Sequence, residues 1–303
     1  MDKRFRTGVL LALATAGISG LAVFLNKFAV NQFSSPVAYT TLKNGLVALI
    51  MVGLALALGR RREIARLSGV RRRQLLAVGL IGGALPFALF FTGLKMANAV
   101  NAALIHKTLF IWVILLAIPF LKERVAAWQW FGAGAVLASN LVIGGFRGFE
   151  YGWGELLILA ATMLWAVENI IAKKALTDVS AVTLATARLG IGSLALLPFA
   201  VAGGGLTAVV GMSAAAWGWT LLAVGLLTGY VLTWYSALKR APAGVVATLL
   251  VPATLVTNLL SVAFTPQAFG WRLALATGLF GVGAVAMIRW AKPKNSALAG
   301  QSA

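Results

Sequence analysis

With 303 residues, 60% of them hydrophobic, and a mean hydropathy of +0.92, the chain carries more apolar surface than a soluble domain of its size can hide. Its formal net charge of +19 sits largely in short segments between long apolar runs, which argues for a membrane protein with basic loops and against a nucleic-acid surface. Cysteine is absent, so disulfides and thiolate chemistry are excluded, and one histidine with scattered acids makes no metal site. No cofactor is expected.

Ten apolar spans are predicted, at 7–29, 36–58, 74–94, 98–120, 125–145, 152–172, 180–201, 214–236, 242–264 and 269–290. Each is long enough to cross a bilayer as a helix of about 20 residues. The runs are apolar all round, whereas a transmembrane barrel strand alternates polar and apolar residues over about ten positions. The first span follows Lys3, Arg4 and Arg6, which imitates a secretory signal. It continues to Val30 and has a counterpart later in the chain, so it is read as a span.

Basic residues set the orientation. Lys3, Arg4 and Arg6 precede span one, and Arg60, Arg61, Arg62, Arg66, Arg71, Arg72 and Arg73 lie between spans two and three. Lys122 and Arg124 follow span four, Lys173 and Lys174 span six, Lys239 and Arg240 span eight, and Arg289, Lys292 and Lys294 span ten. The opposite loops carry only Lys27, Lys95, Arg147 and Arg272. Both termini are therefore expected on the cytoplasmic side of the cell (inner) membrane. The basic 59–73 segment reads as a contact with the anionic inner leaflet.

The chain repeats. Leu94, Lys95, Ala97, Ala99 and Ala103 answer Leu238, Lys239, Ala241, Ala243 and Ala247. The stretch from Val37 to Gly45 answers that from Val182 to Gly190, and Phe131 to Val136 answers Phe280 to Val285. The expected division is a first five-helix repeat over 1–148 and a second over 149–303, the latter ending in a short basic tail. An odd number of spans per copy turns the second copy upside down. Inverted repeats of this kind mark transporters, with substrate bound near mid-membrane between the halves.

Several residues carry a family resemblance. They are Ala97, Ala99, Ala102 and Ala103 at the entry to span four, Pro119 to Arg124 at its exit, and Trp130 and Gly132 in span five. The second half repeats the entry with Ala241, Pro242, Ala243 and Ala247, and adds Pro252 inside span nine. The chain resembles the drug/metabolite transporter superfamily, and within it the EamA-type permeases, over about residues 7–291. It departs at Pro266-Gln267, which stands where Lys122-Glu123 stood. The resemblance implies two five-helix halves and transport, not enzymatic catalysis. Such transporters move amino acids, metabolites or drugs and, in relatives, nucleotide sugars or sugar phosphates, so the substrate stays open.

Candidate site residues follow from depth at about 1.5 Å of rise per residue. Lys107 falls roughly 13 Å below the outer end of span four and Lys43 roughly 10 Å below that of span two. With His106 they form a basic layer suited to an anionic group. Tyr39, Trp112 and Trp165 are expected to cup an organic substrate, as are Tyr230, Trp234 and Tyr235. Asn169, Thr254 and Asn258 add polar contacts, and Pro252 frees a backbone carbonyl beside them. Glu168 lies about 25 Å down span six, near the depth of Arg188, and the two are read as a gating or coupling pair.

The leading reading is a secondary exporter of amino acids or related small metabolites working by alternating access, since no GxxxxGK[ST] loop is present to hydrolyse a nucleotide. The alternatives are an exporter of cationic drugs coupled through Glu168, an anion exchanger for sugar phosphates or nucleotide sugars, and, distantly, an intramembrane serine protease using Ser19 and His106. The expected partners are a small-molecule substrate and the lipid bilayer, with no nucleic acid, and the oligomeric state stays open.

Overall fold

The computed structural model describes residues 2–30, 36–97, 99–144, 152–202, 209–264 and 270–291, and among them it is all helical. Ten helices carry the fold. They are α1 (Lys3–Val30), α2 (Pro36–Ala57), α3, α4, α5 (Ala127–Gly144), α6 (Trp153–Ala175), α7 (Ala181–Ala202), α8 (Ala214–Arg240), α9 and α10 (Trp271–Arg289). Three of them are interrupted. α3 runs from Gly69–Ala77 through a π-helical turn at Val78–Gly82 to Leu85–Leu94. α4 consists of Ala99–Lys107 and Leu109–Leu121, and α9 of Ala243–Thr248 and Ala253–Phe264.

Among the described residues nine helices are long and apolar enough to span a membrane. The remaining one of the ten, α5, has 18 residues, about 27 Å of helix, and packs along α10. Helices are the form expected here, because a backbone in lipid must satisfy its own hydrogen bonds. The observed ends differ from the predicted ones mainly on the side of the basic loops. α3 begins at Gly69 instead of 74 because Ser68 caps it, its hydroxyl accepting from the Arg71 amide at 3.3 Å. α1 begins at Lys3 and α8 runs on to Arg240, beyond their apolar cores, because long basic side chains can reach water from the last turn.

The packing obeys the repeat. α1 packs on α8 and α9, and its counterpart α6 packs on α3 and α4. α2 pairs with α7, α4 with α9 and α5 with α10, each helix against its own counterpart. The same junction recurs in both halves. Gly8 at the start of α1 abuts Ala241, and Gly154 at the start of α6 abuts Ala97, with space for no added carbon at either. At the α5–α10 crossing, a Cβ on Gly132 would meet the Gly283 carbonyl oxygen at 2.8 Å, and one on Gly283 the Gly132 oxygen at 2.7 Å. Small residues at such crossings let backbones approach where lipid supplies no hydrophobic drive. Polar links add to this: Thr257 donates to the Gly20 carbonyl at 2.9 Å and Ser139 to the Ala276 carbonyl at 2.8 Å.

Candidate functional site

The breaks in α4 and α9 fall at matching places. In the repeat register that pairs Ala97 with Ala241, Thr108 pairs with Pro252. Pro252 has no amide hydrogen for the Thr248 carbonyl, which weakens the helix at that turn, and the chain leaves the helix at Leu249–Pro252. The α4 break corrects the prediction of one continuous span. Thr108 makes it without proline, donating its hydroxyl to the Ile105 carbonyl at 2.6 Å and accepting from the Trp112 indole at 3.1 Å. The first part of α9 packs on the second part of α4, so the two interrupted helices meet at the seam between the halves.

Lys107 is the last residue of the first half of α4. It therefore stands at a helix C-terminus, where the backbone dipole is negative and favours a cation. The side chain is half-buried and makes no hydrogen bond, ion pair or ring contact among the described residues. His106 turns the other way. Its ring lies 4.9 Å from Trp165 and 5.4 Å from Phe90, centre to centre, and Phe87 closes the group at 5.2 Å from Trp165. The buried Nδ1 of His106 has no hydrogen-bond partner.

A second cluster surrounds the Gly82 carbonyl. Pro86, one turn later in α3, lacks the amide that would bond this oxygen in a regular helix. The oxygen accepts instead from the Trp165 indole at 3.1 Å and from the Arg188 guanidinium at 3.3 Å. Glu168, only 1% exposed, lies against the same glycine: a Cβ there would meet its Cγ at 2.4 Å and the Arg188 Nε at 3.2 Å. The Tyr235 hydroxyl donates to Glu168 at 2.8 Å. Glu168 and Arg188 are electrostatic neighbours beside Gly82 without a direct ion pair, which refines the expected pairing. Trp165, Glu168 and Asn169 are all buried, as their shared helix face predicts. Asn169 donates to the Trp165 carbonyl at 2.9 Å, while its Oδ1 and the Arg188 Nε are buried without partners.

The remaining candidates lie apart from these two clusters or on their edges. Lys43 stands over the Tyr39 ring at 5.0 Å, and Tyr39 packs with Ala223 and Trp219 of α8. Thr254 and Asn258 lie on the second half of α9, linked by a 2.8 Å bond from the Asn258 amide to the Thr254 carbonyl. Sequence reasoning missed Gly82 as an acceptor, Tyr235 as the glutamate's partner, and Phe87 and Phe90. Pro86 was the available signal for the first.

A polar latch lies at the end of the bundle that bears the basic loops. The Lys173 ammonium at the end of α6 donates to the carbonyls of Leu238 and Ala241, the latter at 2.6 Å, where α8 ends. The Glu123 carboxylate accepts from the Ala243 and Gly244 amides at 2.7 and 3.3 Å, where α9 begins. Each charge thus meets the helix terminus of opposite sign. Lys239 returns the grip to the Val179 carbonyl at 2.9 Å. Arg71 of the basic segment belongs here too. It bonds Asp178, Gln74, Thr177 and the Lys174 carbonyl, so it ties α3 to the α6–α7 turn, a role beyond the lipid contact expected for 59–73. Glu123→Ala strips two buried amides of their acceptor and is expected to cost about 1.5–3 kcal/mol, read as a lower unfolding midpoint in detergent. An unchanged midpoint would show the latch to be energetically idle.

The sequence profile of the EamA-like transporter family matches residues 6–145 and, a second time, residues 152–289. An "Uncharacterized transporter" of Archaeoglobus fulgidus is 27% identical over 147 residues, 48% of this chain and 51% of that protein. The "Uncharacterized transporter YyaM" of Bacillus subtilis is 25% identical over 195 residues, 62% of this chain and 63% of that protein. The chain thus spans about half of the first relative and just under two thirds of the second. A solved crystal structure of 21% identity superposes over 94% of this chain and 97% of its own with a TM-score of 0.76, a likeness that speaks to the fold alone. The two profile matches take up α1–α5 and α6–α10 in turn, and the chain is a multi-pass membrane protein that belongs to the EamA-like transporter family.

Proposed function

We propose that this transporter is a secondary exporter of amino acids or related small organic metabolites, working by alternating access in the inner membrane. The observation that carries the reading is Lys107, which has no hydrogen-bond or ion-pair partner among the described residues and stands at the break of α4, in repeat register with the break of α9. Interrupted helices meeting between inverted repeats are the usual setting for a substrate site. Lys107 binds the substrate carboxylate; His106, Trp112 and Trp165 with Thr254, Asn258 and Asn169 border the rest, and Lys43 with Tyr39 lies on the path to it. The two halves divide near residue 148, a boundary supported by the swap-symmetric packing. Both termini are cytoplasmic, supported by the bias of Lys and Arg, so the latch of Lys173 and Glu123 closes the cytoplasmic end.

The test is counterflow into proteoliposomes, screening amino acids, sugar phosphates and cationic drugs. Exchange of amino acids supports the proposal; exchange of sugar phosphates alone would make the protein an anion exchanger. A response to cationic drugs alone would move the site to Glu168. The protease alternative finds no support in the geometry, since no hydrogen bond joins Ser19 to His106 and the His106 ring is packed among aromatics.

Glu168 and Arg188 are assigned to gating and coupling. Arg188 bonds the Gly82 carbonyl and Glu168 packs against the same glycine, so a change of charge at Glu168 bears directly on the π turn in α3. Glu168→Gln keeps the shape and an acceptor for Tyr235 while removing the charge. Wild-type transport is expected to vary with pH and the variant's to lose that variation. Identical pH profiles in the two proteins would remove Glu168 from coupling.

A further inference from the structure

The flank of the bundle where α5 meets α10 carries a groove of about 430 Å³ that none of the candidate site residues lines. Gly281 and Ala286 lie along it, and Trp128, Phe131, Val282, Val285 and Trp290 line it with large, exposed apolar side chains. The lining is almost wholly apolar. At one end Trp128 and Trp290 stack, their centres 5.4 Å apart and planes 22° apart, and the Arg289 guanidinium lies 5.6 Å from the Trp290 ring centre. Arg289 is exposed and makes no hydrogen bond or ion pair among the described residues, so its donors are free. Lys122 and Arg124, both exposed, precede α5 at this same end.

We propose that this groove holds one anionic phospholipid, its acyl chain along the α5–α10 crossing and its phosphate on Arg289. Three observations converge. Tryptophan pairs occupy the depth where acyl chain gives way to headgroup. A guanidinium held beside an indole with its donors unengaged presents a planar fork suited to two phosphate oxygens. The cations at the mouth have no acid beside them in the sequence except Glu123, which is engaged at the α9 amides. The same charges disfavour a second copy of the chain as occupant. A two-fold contact through this face would bring Arg289 and its symmetry mate, with Lys122 and Arg124, into one apolar interface.

The opposite end of α10 supplies an internal control. Arg272 lies 5.7 Å from the Trp271 ring centre, in the same cation–π arrangement, but neither residue lines the groove. A chain without cysteine also allows clean single-cysteine labelling.

The experiment is native mass spectrometry of the full chain in detergent, titrated with phosphatidylglycerol or phosphatidylcholine. Wild type is expected to retain one phosphatidylglycerol at least tenfold more tightly than phosphatidylcholine. Arg289→Gln should bring the two lipids level, and Val285→Trp, which fills the groove, should weaken both. Arg272→Gln should leave the preference unchanged. Because Arg289 and Arg272 are exposed, neither change threatens folding. Retention of the wild-type preference in both Arg289→Gln and Val285→Trp would overturn the proposal. So would efficient disulfide dimerisation of Val282→Cys in lipid-free detergent, which would give the face to a second copy.

Discussion

Gly192→Ala is expected to be among the most damaging single changes in this protein, because it adds one methyl group where two backbones touch. A Cβ on Gly192 would lie 2.6 Å from the Gly83 Cα and 2.7 Å from the Gly83 carbonyl carbon and oxygen. The reverse contact is as tight, since a Cβ on Gly83 would meet the Arg188 carbonyl oxygen at 2.3 Å. No flexible side chain can yield there. α7 must move off α3, and that movement pulls Arg188 from the Gly82 carbonyl, leaving its guanidinium and the oxygen without each other. Overpacking alone costs about 1–3 kcal/mol, and a lost charged hydrogen bond adds on the order of 1.5–3 kcal/mol. Gly190→Ala, two residues away, is the control. A Cβ there meets nothing within 4 Å, and alanine is the better helix former by about 1 kcal/mol. Unfolding midpoints in detergent should fall sharply for Gly192→Ala and hold or rise for Gly190→Ala. Equal midpoints for the two variants would mean that the α3–α7 crossing is looser than the geometry requires.

The spans were legible because an apolar run long enough to cross a bilayer has few other uses. The packing of α1 on α8 and of α6 on α3 was implicit in the repeat, since Ala97 and Ala241 already stood at matching places. The break at Pro252 was legible from a missing amide. The break at Thr108 was not, because threonine stops no helix by itself; only the register that aligns it with Pro252 points there. The Gly82 cluster was half legible. Depth placed Glu168 near Arg188, and the same arithmetic puts Tyr235, five residues above the end of α8, level with Glu168, five above Lys173. The sequence does not say that a carbonyl freed by Pro86 would be what Trp165 and Arg188 bind, because that depends on how α3 turns against α6 and α7. Lys43 shows what depth alone leaves out. Equal depth suggested a shared layer with Lys107, but α2 packs on α7 and α8, and Lys43 spends its charge on the face of Tyr39.

Lys107→Ala is expected to abolish transport of an anionic or zwitterionic substrate while leaving expression and the unfolding midpoint near wild type. The two halves of that expectation come from the same geometry. The ammonium has no hydrogen-bond or ion-pair partner among the described residues, so its removal takes away only its helix-terminus interaction, on the order of 0.3–1 kcal/mol. A substrate carboxylate at the α4–α9 seam loses more. A charged hydrogen bond there is worth about 1.5–3 kcal/mol, and each 1.4 kcal/mol is roughly tenfold in affinity, so binding should weaken by about 10- to 150-fold. The substrate must also then shed its water in front of an apolar wall, which adds to the loss. Lys107→Arg tests shape against charge. The guanidinium is longer and planar, and the half-helix end that accommodates a point charge would have to hold a fork, so transport should be impaired here too, though less than in Lys107→Ala. Substrates without a carboxylate or phosphate should be spared in both variants. Wild-type rates for amino acids in Lys107→Ala would place the anion elsewhere, with Lys43 the next cation to examine.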